Sequence, residues 1–434
     1  MRYIFQKRII RDDIELSHAK TDRFKTSVLK MSIAVPNLGG DDRIALFGLM
    51  VNLLRCGTEK YPEKADIIKR LGDLYDASCS IGGYASGDNQ IFEISSEMLS
   101  DRFSDGGSIF EGIVELMDQI FFHPCFDENS LFKADTVERE KRVLCDKIKS
   151  EKNNSREYAF KRCREIMCEG EPYGRSIKPE CLEKITSYDL SSFYREFLAG
   201  AEISFSYVGD KDIDDVSLVL YNYFKREPIG TAMPLIPMSC KRSFDVREKT
   251  EDLDIKQGVL VMGFRSGVLL GSENAHIMRV FNNIYGGTCT SRLFKTVREQ
   301  MSLCYYCDSD YVNTKGILFV SCGVDVSNRD IAQREILKQL DILKNEHVTI
   351  DELEAAKDMA LKELLEMKDY PGAVAAFRYV HEIYGCDTDI DEIIERIRTV
   401  TVENVMSVAK SVALDTVFFL KGTAQPEDDE YDDI

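Results

Sequence analysis

Ile185-Thr186-Ser187-Tyr188-Asp189-Leu190 leads into Ile203-Ser204-Phe205-Ser206-Tyr207-Val208-Gly209, and the same grammar returns as Val400-Thr401-Val402-Glu403-Asn404-Val405 leading into Thr416-Val417-Phe418-Phe419-Leu420-Lys421-Gly422. Each copy is a Thr-led helix start followed by an apolar, alternating strand. Each is preceded by a Tyr-Gly pair, Tyr173-Gly174 and Tyr384-Gly385. From Ile185 to Val400 the offset is 215 residues, about half of the 434-residue chain. A repeat with a domain-sized period predicts a duplicated domain rather than a solenoid.

Working outward, both halves carry matching elements. In the first, Ser27–Val35 alternates Leu29, Met31, Ile33 and Val35 against Lys30, Ser32 and Ala34, the pattern of a half-buried strand. Ile44–Leu54 is apolar on most sides and predicts a buried helix. Cys79–Met98 predicts a hairpin around Ser86-Gly87-Asp88-Asn89. Helices are expected over about Gly107–Phe121 and Asn129–Lys149. In the second half, Gln257–Phe264 predicts a strand, Glu273–Tyr285 and Ser291–Gln300 helices, and Leu303–Val312 with Gly316–Val324 a strand pair. Helices are expected over Asn328–Lys344 and Asp351–Met367, with Thr349 and Glu352 spaced as a capping box. The fold class is α+β: two homologous domains of a mostly antiparallel sheet with helices packed on one face. The expected domains are residues 1–226 and 251–423, joined by a linker at 227–250 that holds Pro228, Pro234 and Pro237. Residues 424–434 form an acidic tail expected to be solvated.

Composition narrows the function. The formal net charge of −19, with no basic run to offset it, disfavours nucleic acid and anionic membranes as partners. No apolar run is long enough for a signal peptide or a membrane span. Thirteen cysteines, an odd number scattered through a large chain, predict reduced thiols and a cytoplasmic location. The five histidines, His18, His123, His276, His347 and His381, include no pair at i, i+3 or i+4, so no metal site is expected from them. Cys304 and Cys307 have no partner pair at zinc spacing and are expected as buried thiols. No G-x-S-x-G, phosphate-loop or dinucleotide motif occurs.

Ile284-Tyr285-Gly286-Gly287-Thr288-Cys289-Thr290-Ser291-Arg292-Leu293-Phe294, continuing through Val297-Arg298-Glu299-Gln300 to Leu303-Cys304-Tyr305, resembles the insulinase/pitrilysin-type metallopeptidases. The likeness lies in the glycine pair, the Ser-Arg-Leu-Phe stretch, and an Arg and a Tyr seven residues apart. Leu54-Arg55-Cys56-Gly57-Thr58 resembles the end of that family's zinc helix. Active members carry H-x-x-E-H on that helix. Residues i and i+4 share a helix face, so two imidazoles reach one zinc while the Glu activates its water. Anchored on Gly57-Thr58, the three positions fall on Gly48, Val51 and Asn52, which supply neither two ligands nor a base. Within Val137-Glu138-Arg139-Glu140-Lys141, Glu138 falls at the third-ligand position. One carboxylate cannot hold zinc, so no cofactor is expected in this chain.

The resemblance implies that Arg298 and Tyr305 form the other half of a site, facing the zinc helix across a chamber and holding the substrate backbone. A guanidinium and a phenol suit a carbonyl oxygen that gains negative charge. Read structurally, they are a helix-end cation and a strand packing residue. Losing the zinc half while keeping the Arg/Tyr half resembles the inactive subunit of mitochondrial processing peptidase. The implied function is that of a non-catalytic subunit, not an enzyme on its own, paired with a zinc-bearing H-x-x-E-H homologue around a peptide that adds to a sheet edge. The alternatives are a peptide-binding or scaffold protein with no proteolytic role, and catalysis at an unrecognised site.

Overall fold

The computed structural model describes residues 2–225, 233–241, 245–346 and 348–423. The acidic tail, His347 and parts of the join lie outside the described residues.

Two compact units are present. One comprises Met1–Lys149, Glu171–Pro237 and Leu365–Asp387; the other comprises Ser150–Gly170, Met238–Leu364 and Thr388–Ile434. The first is built on a six-stranded sheet of β1 (Phe5–Arg11), β2 (Ile14–Lys20), β3 (Thr26–Pro36), β4 (Ser80–Ser86), β5 (Asn89–Leu99) and β6 (Ile203–Gly209). Its order is β1-β2-β6-β3-β5-β4. The second has five strands, β7 (Arg247–Leu253), β8 (Gly258–Arg265), β9 (Cys304–Val312), β10 (Ile317–Val324) and β11 (Ala413–Gly422), in the order β7-β11-β8-β10-β9. In both sheets the one parallel pair involves the strand after the repeated helix start: β2 with β6, and β7 with β11. The remaining pairs are antiparallel. Strand for strand, β2-β6-β3-β5-β4 and β7-β11-β8-β10-β9 have the same order and sense, and β1 is an additional edge. The sequence repeat is thus a duplication of one α+β fold.

Alternation along β3 divides its side chains as the pattern predicts. Leu29, Met31 and Ile33 are fully buried in the main core of the first unit, with Phe92, Ile94 and Phe205 from neighbouring strands and Leu49, Met50 and Ile113 from helices. The opposite face carries Ser17, Lys30, Ser32, Glu93, Ser204 and Ser206. The Pro371–Ile383 helix packs on it over β3 and β6. Ser17 Oγ donates to Glu382 Oε1 at 3.0 Å, and Lys30 pairs with Glu93 at 2.8 Å. Helices therefore crowd one face of the sheet, and the Pro371–Ile383 helix covers the other.

The second unit repeats the device with the Ser155–Met167 helix. Phe160 meets Phe319 with ring centroids 4.5 Å apart, and Arg162 pairs with Glu251 at 2.7 Å. Gly263 admits the helix end, since a β-carbon there would lie 2.6 Å from Met167 Sδ. Both faces of the central strands are covered, and every residue of β8 and β10 is buried. These two covering helices are counterparts, each preceding a Tyr-Gly pair, but each belongs to the unit built from the other half of the sequence. Sequence halves and compact units do not coincide.

Three local departures from the sequence expectation have physical causes. Arg247–Leu253, whose charge density reads as linker, forms edge strand β7; charged side chains are what a solvent-facing edge tolerates. The Asn129–Lys149 helix begins only at Ala134, because Asp127 Oδ1 accepts from the amides of Asn129 and Leu131 at 2.8 and 2.9 Å and ties off a turn. The end of the expected Glu273–Tyr285 helix runs on as a π-helical stretch, Asn283–Gly287, and most of the expected Ser291–Gln300 helix, Phe294–Gln300, is π-helical too.

Candidate functional site

In the first unit, the Gly40–Leu53 helix carries Gly48, Val51 and Asn52. The space beside Gly48 is taken: a β-carbon there would sit 2.4 Å from Ile177 Cδ1 and 3.9 Å from Leu144 Cδ2. Val51 is 4% exposed and packs against the bare backbone of Gly83. Asn52 is half-buried, with Arg55 Nη1 at 3.5 Å from its Oδ1. Where a zinc peptidase has two imidazoles and a carboxylate, this helix has an apolar plug and one amide.

Glu138 does not join these positions. It lies on the Ala134–Ser150 helix with its side chain 61% exposed and pairs with Lys141 at 2.8 Å. Lys141 Nζ also donates to the carbonyls of Glu183 and Ile185. Towards the end of the Gly40–Leu53 helix, this helix presents Glu140, which reaches the Cys56 thiol, and Leu144. Burial, and then the charge of Glu140, push the Cys56 thiol up to about 11. Among the described residues, no group of three or more His, Cys, Asp or Glu is arranged to hold a metal ion.

The Gly-Thr ending of the helix has its own structural reason to exist. A β-carbon at Gly57 would lie 2.2 Å from the Pro62 carbonyl oxygen. Thr58 is fully buried; its amide donates to Tyr61 O at 2.8 Å and its Oγ1 accepts from the Tyr61 amide at 2.9 Å. This turn is required whether or not the preceding helix binds zinc.

In the second unit, the glycine pair is required by packing. A β-carbon on Gly286 would meet Ser309 Oγ at 2.6 Å, and one on Gly287 would meet Asn282 Nδ2 at 2.6 Å. Arg292 makes a two-pronged ion pair with Glu352, Nε and Nη2 lying 2.8 and 2.9 Å from its two carboxylate oxygens. Glu352 is also the capping-box residue of the Ile350–Met367 helix, accepting from the Thr349 amide at 2.9 Å. Burial raises the Glu352 carboxyl, but Arg292 and Thr349 outweigh it and hold it down to about 2.

Arg298 and Tyr305 are brought together. The π-helical turn Phe294–Gln300 closes with the Met301 amide on the Thr296 carbonyl at 3.0 Å. Ser302 then takes a left-handed conformation, φ 50°. The Leu303 amide returns to the Val297 carbonyl at 3.1 Å, and the chain enters β9. Such π turns recur at functional sites because they re-aim side chains. Arg298 is exposed, its guanidinium 4.6 Å over the Phe294 ring, and its Nε donates to the Tyr305 carbonyl oxygen at 3.1 Å. β9 is irregular here: Gly323 pairs with Tyr306 but Val324 pairs with Cys304. Tyr305 is the extra residue of this bulge, and its side chain is 74% exposed. The seven-residue spacing is legible in the sequence; the π turn and bulge that set its geometry have no periodic signature.

A profile of the family described as Peptidase M16 inactive domain matches residues 184–360. Over 407 residues the chain is 27% identical to a Bacillus subtilis protein named probable inactive metalloprotease YmfF, covering 93% of this chain and 95% of that one. It is 25% identical over 307 residues to a second B. subtilis protein, named uncharacterized zinc protease YmxG, covering 69% and 72% of the two chains. Among solved structures, a conserved protein from Enterococcus faecalis matches with a TM-score of 0.87 at 24% identity, covering 98% of this chain and 100% of that one. A peptidase M16 inactive domain from Pseudomonas fluorescens matches with a TM-score of 0.79 at 17% identity, covering 97% and 100%. In its duplicated fold, and with no H-x-x-E-H in its sequence, this chain is similar to the proteins described as inactive members of the M16 family of insulinase/pitrilysin-type peptidases.

Proposed function

We propose that this chain is the non-catalytic subunit of a two-chain zinc peptidase, supplying Arg298 and Tyr305 to a homologous H-x-x-E-H partner that carries the zinc. The observation that supports this most directly is the exposure of both side chains on one π turn and bulge, joined through the Tyr305 carbonyl. A bulged, outward-turned tyrosine gains nothing from burial, so its placement fits a group that acts on something outside the chain. An exposed guanidinium and an exposed phenol can both donate to an oxygen that becomes negative during peptide cleavage. No metal is needed in this chain on that reading, and the ligand is an extended peptide. A relative named as a zinc protease exists in the same organism as one named as inactive, which supplies a partner of the required type there. Among the described residues no helix is long and apolar enough to cross a membrane, and a cytoplasmic site of action is proposed from the reduced cysteine usage.

The test measures hydrolysis of a peptide library by this chain, by an H-x-x-E-H homologue from the same genome, and by the mixture. Chelator-sensitive activity that appears only in the mixture, and is lost with Arg298→Ala or Tyr305→Phe, supports the composite site. A homologue equally active without this chain, with peptide still bound by the chain, gives the scaffold reading its place.

A further inference from the structure

Three cysteines meet on one face at the start of β9. Cys307 lies directly opposite Cys322 of β10. Strict alternation would turn Cys304, three residues before Cys307, to the other side of the sheet. The bulge at Tyr305 cancels one step of the alternation and sets Cys304 opposite Val324, on the side of Cys322. The register makes the three side chains neighbours on that face, and each thiol shifts the titration of the other two. Their exposure is graded: Cys304 is half-buried at the rim, while Cys307 and Cys322 are 1% and 0% exposed. Arg298 faces Cys304 from the π turn, and Asp308 lies farther along its own strand.

We propose that this trio is a thiol relay, in which Cys304 is the oxidant-reactive residue and the disulfide comes to rest between Cys307 and Cys322. The proposal does not depend on the peptidase reading. Hydrogen peroxide is the oxidant. The Cys304 thiolate attacks one peroxide oxygen and the O–O bond breaks. The departing hydroxide takes a proton to become water, leaving Cys304 as a sulfenic acid, oxidised by two electrons. The Cys322 thiol attacks that sulfur, its proton leaves with the hydroxyl as a second water, and a Cys304–Cys322 disulfide forms. Cys307 then attacks the Cys322 sulfur, loses its proton to solvent and expels the Cys304 thiolate. In sum, two thiols and one peroxide give one disulfide and two waters.

Two physical features favour this direction. The exchange ends on the directly opposed pair, whose Cα separation in an antiparallel ladder, about 4.5–5.5 Å, suits a disulfide. It also expels the better leaving group: hydrogen bonds from Cys307 and Cys322, then the Arg298 charge, hold the Cys304 thiol down to about 4 against the opposing effect of burial. Cys307 and Cys322 are pushed up by hydrogen bonds to Cys304 and by burial.

The experiment is thiol mapping of the intact chain by mass spectrometry, with exposed Cys289 as internal reference. Alkylation of Cys304 is expected to be nearly level from about pH 8 to about pH 5, while that of an ordinary thiol falls about tenfold per unit. Equimolar peroxide should convert Cys307 and Cys322 to a disulfide and leave Cys304 alkylatable. Cys304→Ser should abolish that conversion. A Cys304 pH profile that follows Cys289, or oxidation of Cys307 and Cys322 at an unchanged rate in Cys304→Ser, overturns the relay. A peroxide-treated wild-type chain that retains all three thiols overturns it without recourse to a variant.

Discussion

Arg298 Nε donates to the carbonyl oxygen of Tyr305 at 3.1 Å, so the guanidinium is anchored by the backbone of a residue whose own side chain is exposed. One donor is spent on that backbone contact, and on the proposed function the terminal guanidinium nitrogens would meet the substrate. Both side chains are exposed and neither is in a core. Substituting either should therefore leave thermal unfolding within about 0.5 kcal/mol of wild type. If the proposed two-chain peptidase forms, each change should lower its kcat by about 10²-fold, the usual loss when one preorganised donor to a developing oxyanion is removed. Arg298→Lys should not rescue, because a point charge cannot anchor to the Tyr305 carbonyl and reach outward at once. Unchanged kcat with raised KM would instead assign the pair to ground-state binding.

Restoring the motif by Gly48→His, Val51→Glu and Asn52→His should not restore zinc. Ile177 already occupies the place of a side chain at residue 48. A carboxylate at residue 51 would enter a position 4% exposed, beside Gly83, at a cost of about 2–5 kcal/mol unless it is paired. Metal analysis of the purified triple variant should find no stoichiometric zinc, and its melting point should fall well below that of the wild type. Tight zinc binding in that variant would show that the plug yields easily and that the loss of chemistry is confined to three residues.

The elements that a period can reveal were legible: the alternation of Leu29, Met31 and Ile33, the hairpin at Gly87-Asp88, and the capping box of Thr349 and Glu352. The duplication was legible too, because β6 and β11 fall in equivalent places in sheets of the same order. The exchange of covering helices was not. Ser155–Met167 carries an ordinary helical pattern, and its destination is set by Gly263 and Phe319, far away in sequence. Strands β1 and β2 were missed because Phe5–Arg11 is an edge strand with charged side chains and only β2 is deeply buried. At the candidate site, residue types were readable at Gly48, Val51, Arg298 and Tyr305. The Ile177 plug, the exposed position of Glu138, the π turn and the bulge depend on contacts across the fold.

Arg292 and Glu352 join the Ser-Arg-Leu-Phe stretch to the start of the Ile350–Met367 helix, and their contribution should depend on pH in one direction. The Glu352 carboxyl is held at about 2 in the folded chain, against about 4.3 for an unfolded glutamate. A depressed carboxylate contributes stability that is full above the unfolded value and is lost as pH falls towards the folded one. Its side chain is 24% exposed, so screening limits the contribution to about 2 kcal/mol. Urea unfolding should show Arg292→Ala to be less stable than wild type by that amount near neutral pH, with the gap narrowing below about pH 4. A gap constant with pH would mean that Arg292 acts through packing alone.

The buried ion pair of Arg265 and Asp415 joins β8 to β11 in the second unit, and Arg265 ties both to the covering helix. Arg265 Nε lies 2.8 Å from Asp415 Oδ2, and Nη2 donates to the Met167 carbonyl at 2.7 Å. The two side chains are 6% and 1% exposed. Replacing both with apolar residues of similar volume is expected to change stability little, because desolvation offsets most of the Coulombic gain. Asp415→Ala alone strands the guanidinium against β11 and should cost about 3–5 kcal/mol. Since Arg265 also caps the end of the Ser155–Met167 helix, Arg265→Met should loosen that helix in particular. Hydrogen exchange should then quicken at Cys163–Met167 before it does in the main core of the first unit, around Leu29 and Phe92. Uniform quickening in both units would mean that the pair holds the fold generally and has no special part in seating the exchanged helix.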